Sequence, residues 1–155
     1  MINVYVDVDG VLNGVYAQAG QGGWNPSCLR REQINGFRIT WHTDMINRLH
    51  NLLDQPHVHP VWLTTWEDDA PRLIAPALCI GFDWPVLHPT QTTFGKQREV
   101  FDDVEDTQPD KVLWLDDDAA YSRDYFTGNF KRISPYTGTG LTPDHLTEIE
   151  EFLRV

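Results

Sequence analysis

Residues 3–12 read Asn-Val-Tyr-Val-Asp-Val-Asp-Gly-Val-Leu, and the two carboxylates in that run, Asp7 and Asp9, decide how the rest of the chain is read. Val4, Tyr5 and Val6 are β-branched or aromatic, which predicts a strand over residues 2–7. A buried strand has no structural reason to end in two acids and a glycine. A ligand site at the carboxyl edge of a parallel sheet does. Taken alone, the stretch also fits a strand followed by an Asp-Gly turn with both acids solvated.

Further strands alternate with helical patterns. Val58–Thr64 and Lys111–Asp116 read as buried strands, Trp84–Leu87 and Phe130–Ser134 as shorter ones, and Phe37–Trp41 as a hairpin arm. Helices are predicted from Thr43 or Asp44 to Leu53, over 70–79 behind Asp68 or Asp69, over 94–104 behind Thr92 or Thr93, over 119–126, and from Pro143 onward behind Thr142. Residues 13–36, rich in glycine, read as a long loop. The alternation predicts an α/β fold: a Rossmann-like three-layer sandwich with a mostly parallel five-stranded sheet and helices on both faces. A single domain over residues 1–155 is expected, with a flap or minimal cap at about 13–42 and no full cap domain.

The bulk numbers narrow the function. The net charge is −11, from 12 Lys and Arg against 23 Asp and Glu, which disfavours strong non-specific binding to a phosphate backbone. Arg30, Arg31, Arg38 and Arg72 are the candidates for a local basic rim. No apolar run reaches the ~20 residues of a membrane span, so no membrane partner is expected. The N-terminus lacks a signal-peptide pattern, and the two cysteines, Cys28 and Cys79, form no C-x-x-C motif. Both fit a cytoplasmic setting.

Three predicted strands end in polar clusters: Asp7 and Asp9, Thr64 and Thr65, and Asp116, Asp117 and Asp118. In a parallel sheet these ends share one edge. So many carboxylates converging there call for a cation, and an oxygen-rich set suits Mg²⁺. Gly10 permits the turn that brings Asp9 back toward the site. Asp118 reads better as a helix cap than as a ligand. His57 and His59 form an H-x-H, but at the wrong end of their strand. Trp62 and Trp114 read as core. Trp66 lies just past a site strand and is a candidate to stack on a base or line the pocket, and Trp24 is a candidate lid residue.

Four motifs in order resemble the haloacid dehalogenase (HAD) superfamily of phosphohydrolases: D-V-D-G-V at 7–11, Thr64 closing V-W-L-T-T, Lys96 after Gly95, and W-L-D-D-D at 114–118. The combination is most similar to the HAD domains of Swiss army knife RNA-repair proteins. The resemblance implies Asp7 as nucleophile, giving an aspartyl-phosphate, and Asp9 as general acid and base. It implies Mg²⁺ held by Asp7, the Asp9 backbone carbonyl and Asp116, with Asp117 a ligand directly or through water. Thr64 would contact the phosphoryl oxygens, with Thr65, Trp66 and Gly10 lining the substrate site, although Thr65 reads better as scaffold than as a contact. Lys96 would neutralise Asp7 and the transferring group, whereas Lys111 precedes its strand and is expected to point away. The implied substrate is a terminal phosphate on RNA or DNA, or a nucleotide. Small phosphate esters or phosphoproteins are alternatives, as is an interaction module without turnover. The presence of Asp7, Asp9, Thr64, Lys96 and Asp116 together argues against the last.

Overall fold

A computed structural model of the chain describes residues 1–122, 126 and 128–155. Its centre is a four-stranded, fully parallel sheet of β1 (Ile2–Val6), β4 (Val58–Trp62), β5 (Lys111–Leu115) and β6 (Asn129–Ile133), in the order β4-β1-β5-β6. β4 extends the sheet on one side of β1. The chain then crosses over to place β5 on the other side, so the strand order reverses at β1/β5. That is where open α/β sheets bind ligands.

The side chains of β1 divide by parity, as a pleat requires. Ile2, Val4 and Val6 join the larger core, with Met45, Ile46, Leu49 and Leu53 of α1 (Thr43–Leu53) and Leu146, Ile149 and Leu153 of α4 (Pro143–Leu153). Tyr5 faces the other way, into a smaller core with Val100 of α3 (Gly95–Thr107) and Val112 and Trp114 of β5. Asn3 shares the α3 face, where its amide donates to Thr107 at 2.8 Å, while the Tyr5 hydroxyl donates to Asp103 at 2.6 Å. Burial and the neighbouring Asp103 carboxylate hold the Tyr5 phenol well above its ordinary pKa.

Of the five strands expected in the sheet, the short one at Trp84–Leu87 is reduced to one bridge, Trp62 with Val86. Trp62 N–H donates to the Pro85 carbonyl at 2.8 Å and Leu87 N–H to the Trp62 carbonyl at 3.0 Å. Pro85 has no N–H with which to extend the ladder. Within β4, Pro60 is tolerated because the strand is otherwise at the sheet edge.

Residues 13–36 are not all loop. They hold β2 (Leu29–Ile34), paired antiparallel with β3 (Phe37–His42) across Asn35-Gly36. Both turn residues have positive φ, +50° and +82°, the backbone of a type I′ hairpin. The helix expected over 70–79 is a π-turn, Ala70–Ile74, running into α2 (Ala75–Leu78). Residues 119–122 are not helical, and the rest of the helix expected to 126 falls largely outside the described residues. Three of the expected side-chain caps are absent. α1 starts behind His42, the π-turn behind Asp69 and α3 behind Phe94, none of which makes a side-chain cap bond. Thr142 does cap α4, in a reciprocal box with His145. No helix among the described residues is long and apolar enough to cross a membrane.

Candidate active site

The parity that sends Tyr5 toward α3 sends Asp7 the same way, two residues on. In β5 the α3-facing positions are Val112 and Trp114, so Asp116 follows them. Val6 pairs with Leu115, and Asp7 N–H donates to the Leu115 carbonyl at 3.0 Å, which sets the two acids side by side. Lys96, one residue into α3, reaches down between them. Its Nζ lies 3.0 Å from Asp7 Oδ2 and 2.7 Å from Asp116 Oδ2. Gly95 lets α3 start this close, since a Cβ there would collide with the Thr90 carbonyl.

Asp7 and Asp116 are both buried; Lys96 bridges them, and the Arg132 guanidinium lies 3.8 Å from Asp116 Oδ1 on its other side. Burial first, and the Asp116 charge second, raise the Asp7 carboxyl to about 8, against the pull of Lys96. The Asp7 and Asp116 charges in turn hold Lys96 above its ordinary value, although burial acts in the opposite direction. Asp117 completes a trio in which one oxygen from each acid lies within 4.8 Å of the others. Its carboxyl is raised by burial, while its Oδ2 accepts from the Thr137 hydroxyl at 2.6 Å. Three carboxylates and no nitrogen or sulfur donor fit a hard divalent cation such as Mg²⁺. His57 and His59 take no part: the His57 ring bonds to the Leu153 carbonyl at the opposite end of the sheet.

Asp9 stands apart from the trio. Its Oδ1 accepts from Asn13 Nδ2 at 2.8 Å and its Oδ2 from Trp66 Nε1 at 3.1 Å, so both oxygens are held by neutral donors. Gly10, at φ +77°, makes the turn that leads from Asp9 to Asn13, and any Cβ on it would run into the Asp117 carboxylate. Gly10 is thus a fixed part of the scaffold here. Thr64 is buried, and its hydroxyl accepts from Trp66 N–H at 3.2 Å. Thr65 is exposed and borders two cavities. One, of about 250 Å³, also touches Asp9 and Trp66, and the other, of about 430 Å³, also touches Lys96 and Asp118.

Several expected roles shift. Asp118 caps no helix over 119–122; the cap-like acceptor is Asp116, whose Oδ1 takes Asp118 N–H at 3.2 Å and Ala119 N–H at 2.9 Å. Trp24 is no lid: it is buried and donates to the Leu141 carbonyl at 2.9 Å. Lys111 points away as expected, binding the Phe152 and Arg154 carbonyls. The expected basic rim is largely engaged elsewhere: Arg30 binds the Ser27 and Leu29 carbonyls, Arg31 the Ala17 carbonyl, and Arg72 binds Asp69.

Three supporting residues escaped the sequence reading. Asn13 holds Asp9 with its amide nitrogen while its oxygen accepts from Thr40 N–H at 2.9 Å, tying the acid to β3. Its position four residues after Asp9 was the available signal. Thr137 holds Asp117. Arg132 lies buried between the Trp114 and Tyr121 rings, 4.4 and 4.6 Å from their centroids, and donates to the Asp116 carbonyl at 3.1 Å. Nothing in Lys-Arg-Ile of β6 announces a buried cation.

An acid pair set by neighbouring parallel strands and bridged by a helix lysine, at the point where strand order reverses, belongs to a recognisable class: the HAD-type phosphohydrolase domain. Within that class the chain belongs to the family of HAD domains in Swiss Army Knife RNA repair proteins, whose model matches residues 3–146 of the 155. No curated protein and no solved structure matches the chain.

Proposed function

We propose that the protein is a Mg²⁺-dependent phosphohydrolase that removes a terminal phosphate from a nucleic-acid end or a nucleotide through an aspartyl-phosphate. The observation that carries this reading is the Lys96 bridge between Asp7 and Asp116 at 3.0 and 2.7 Å, with Asp117 completing the acid trio.

An Asp7 oxygen attacks phosphorus in line, and the bond from phosphorus to the leaving oxygen breaks. Asp9 gives that oxygen its proton. Asp9 then takes a proton from water, which attacks the acyl phosphate, releases inorganic phosphate and restores Asp7. A carboxylate is a weak nucleophile, so position and charge supply most of the acceleration. Lys96 neutralises Asp7 as it approaches the anionic ester, and Thr64 offers its hydroxyl proton to a phosphoryl oxygen. Asp7, Asp116, Asp117 and the Asp9 backbone carbonyl would hold Mg²⁺, which supplies positive charge to the transferring phosphoryl group when bound.

The insertion between Asp9 and α1 carries a two-stranded hairpin, which supports an open site suited to the end of a large substrate. The family's setting in RNA repair supports the same substrate class. The test is hydrolysis of p-nitrophenyl phosphate with Mg²⁺ and with EDTA, by wild type and Asp7→Asn. Turnover is expected only with Mg²⁺ and to fall at least about a thousandfold in Asp7→Asn. Undiminished activity in either control overturns the reading. Oligonucleotides phosphorylated at the 3′ or 5′ end, compared with nucleotides, then define the substrate.

A further inference from the structure

The hairpin tip and the turn after Thr64 enclose the cavity of about 250 Å³, lined by Asp9, Asn35, Phe37, Thr65, Trp66 and Asp69. Phe37 is 63% exposed and opens β3, paired with Ile34 beside the Asn35-Gly36 turn. Its ring meets Trp66 edge-on, with centroids 5.7 Å apart and planes at 72°. The same Trp66 donates its indole N–H to Asp9.

We propose that this cavity is the leaving-group subsite, and that it takes the nucleoside carrying the phosphate, with its base stacked on Phe37. The proposal rests on the phosphohydrolase reading, because that reading makes Asp9 the donor of a proton to the leaving oxygen. Whatever that oxygen belongs to must lie on the Asp9 side of phosphorus, and Asp9 opens onto this cavity. The volume is below the ~300–1,000 Å³ of sites that enclose a drug-sized ligand, which suits one nucleoside-sized group rather than a length of chain.

The charge of the walls points the same way. Asp9 and Asp69 both border the cavity, and Arg72 is already bound to Asp69 at 2.7 Å. A second phosphate entering here would meet two carboxylates and an engaged cation. An uncharged sugar and base would not, so a terminal nucleoside fits better than an internal phosphodiester. The edge-on rings leave no parallel slot between them. A base therefore stacks on the open face of Phe37 rather than between the two rings.

The test compares adenosine 3′- and 5′-monophosphate with ribose 5-phosphate as substrates for wild type, Phe37→Ala and Phe37→Trp. Phe37→Ala is expected to raise KM for the adenosine monophosphates roughly tenfold. The KM for ribose 5-phosphate is expected to rise much less in the same variant, and Phe37→Trp restores the low KM for the adenosine monophosphates. Adenosine, which has no phosphate, is followed by saturation-transfer NMR and is expected to bind wild type better than ribose does and to lose that advantage in Phe37→Ala. If wild type hydrolyses neither these esters nor p-nitrophenyl phosphate, the phosphatase reading falls and adenosine binding alone decides whether the cavity takes a nucleoside. An unchanged KM for the adenosine monophosphates in Phe37→Ala, or adenosine binding no better than ribose, overturns the subsite.

Discussion

Asp9 is where a single hydrogen bond has most leverage. Its two oxygens are fixed by Asn13 and Trp66, and because Asn13 also accepts from Thr40 N–H, only the Trp66 bond can be removed without releasing β3 as well. Trp66→Phe keeps an aromatic ring against Phe37 and deletes the N–H. An acid loosened in this way mistimes proton transfer, so kcat is expected to fall by up to about a hundredfold with KM little changed. Steady-state kinetics on an aryl phosphate check this, and a loss confined to KM would assign Trp66 to binding alone. The acids themselves were legible in the sequence because a carboxylate at the end of an apolar strand contradicts burial. Asn13, Thr137 and Arg132 were not. Each acts through a hydrogen bond to another site residue, and apart from the spacing of Asn13 from Asp9 nothing local distinguishes such a side chain from a solvated one.

Elements show the same division. β1, β4, β5 and α4 follow from apolar runs and a Thr-Pro start. β2 did not, because Leu-Arg-Arg-Glu-Gln-Ile has its charged side chains outside on an exposed hairpin and no apolar period to read. The Asn35-Gly36 pair was its signal. Trp84–Leu87 failed in the opposite sense: its composition suits a strand, but prolines limit it to one rung. The cap of α4 makes a prediction at this scale. Thr142 N–H donates to His145 Nδ1 at 3.0 Å, which requires that nitrogen to be unprotonated, and burial lowers the His145 pKa. Unfolded, the imidazole titrates near ~6.5 and takes up its proton first as pH falls. The stability this group supports is therefore present above about pH 6.5 and is lost below it. Thermal melts from pH 7.5 to 5 are expected to show a smaller decline in His145→Gln, whose amide can complete the same box. Thr142→Ala should cost about 1 kcal/mol at any pH in that range.

For the molecule as a whole, the acid trio sets function against stability. The folded Asp7 carboxyl is raised to about 8, against ~3.9 in the unfolded chain. Between those values the folded state holds the extra proton, so this group removes stability as pH rises from about 4 to 8. In EDTA at pH 8, Asp7→Asn is therefore expected to melt at a higher temperature than wild type, and at pH 4 the two converge. Reading the difference between the two proteins cancels the contribution of the histidines. Mg²⁺ should raise the wild-type melting temperature more at pH 8 than at pH 5.5, because a cation binds ionised carboxylates. A variant no more stable than wild type at pH 8 would mean that Lys96 and Arg132 already balance the site.

The spacing of the two principal acids has a consequence for how such a protein can change over evolutionary time. Asp7 and Asp116 each follow the last rung of the β1–β5 ladder, Val6 with Leu115, and a parallel sheet keeps neighbouring strands about 4.8 Å apart whatever its loops do. The hairpin that carries Phe37 contributes no backbone to that rung. Mutations can therefore accumulate at the hairpin tip, and alter which molecules are accepted, while the spacing of Asp7 and Asp116 is inherited intact.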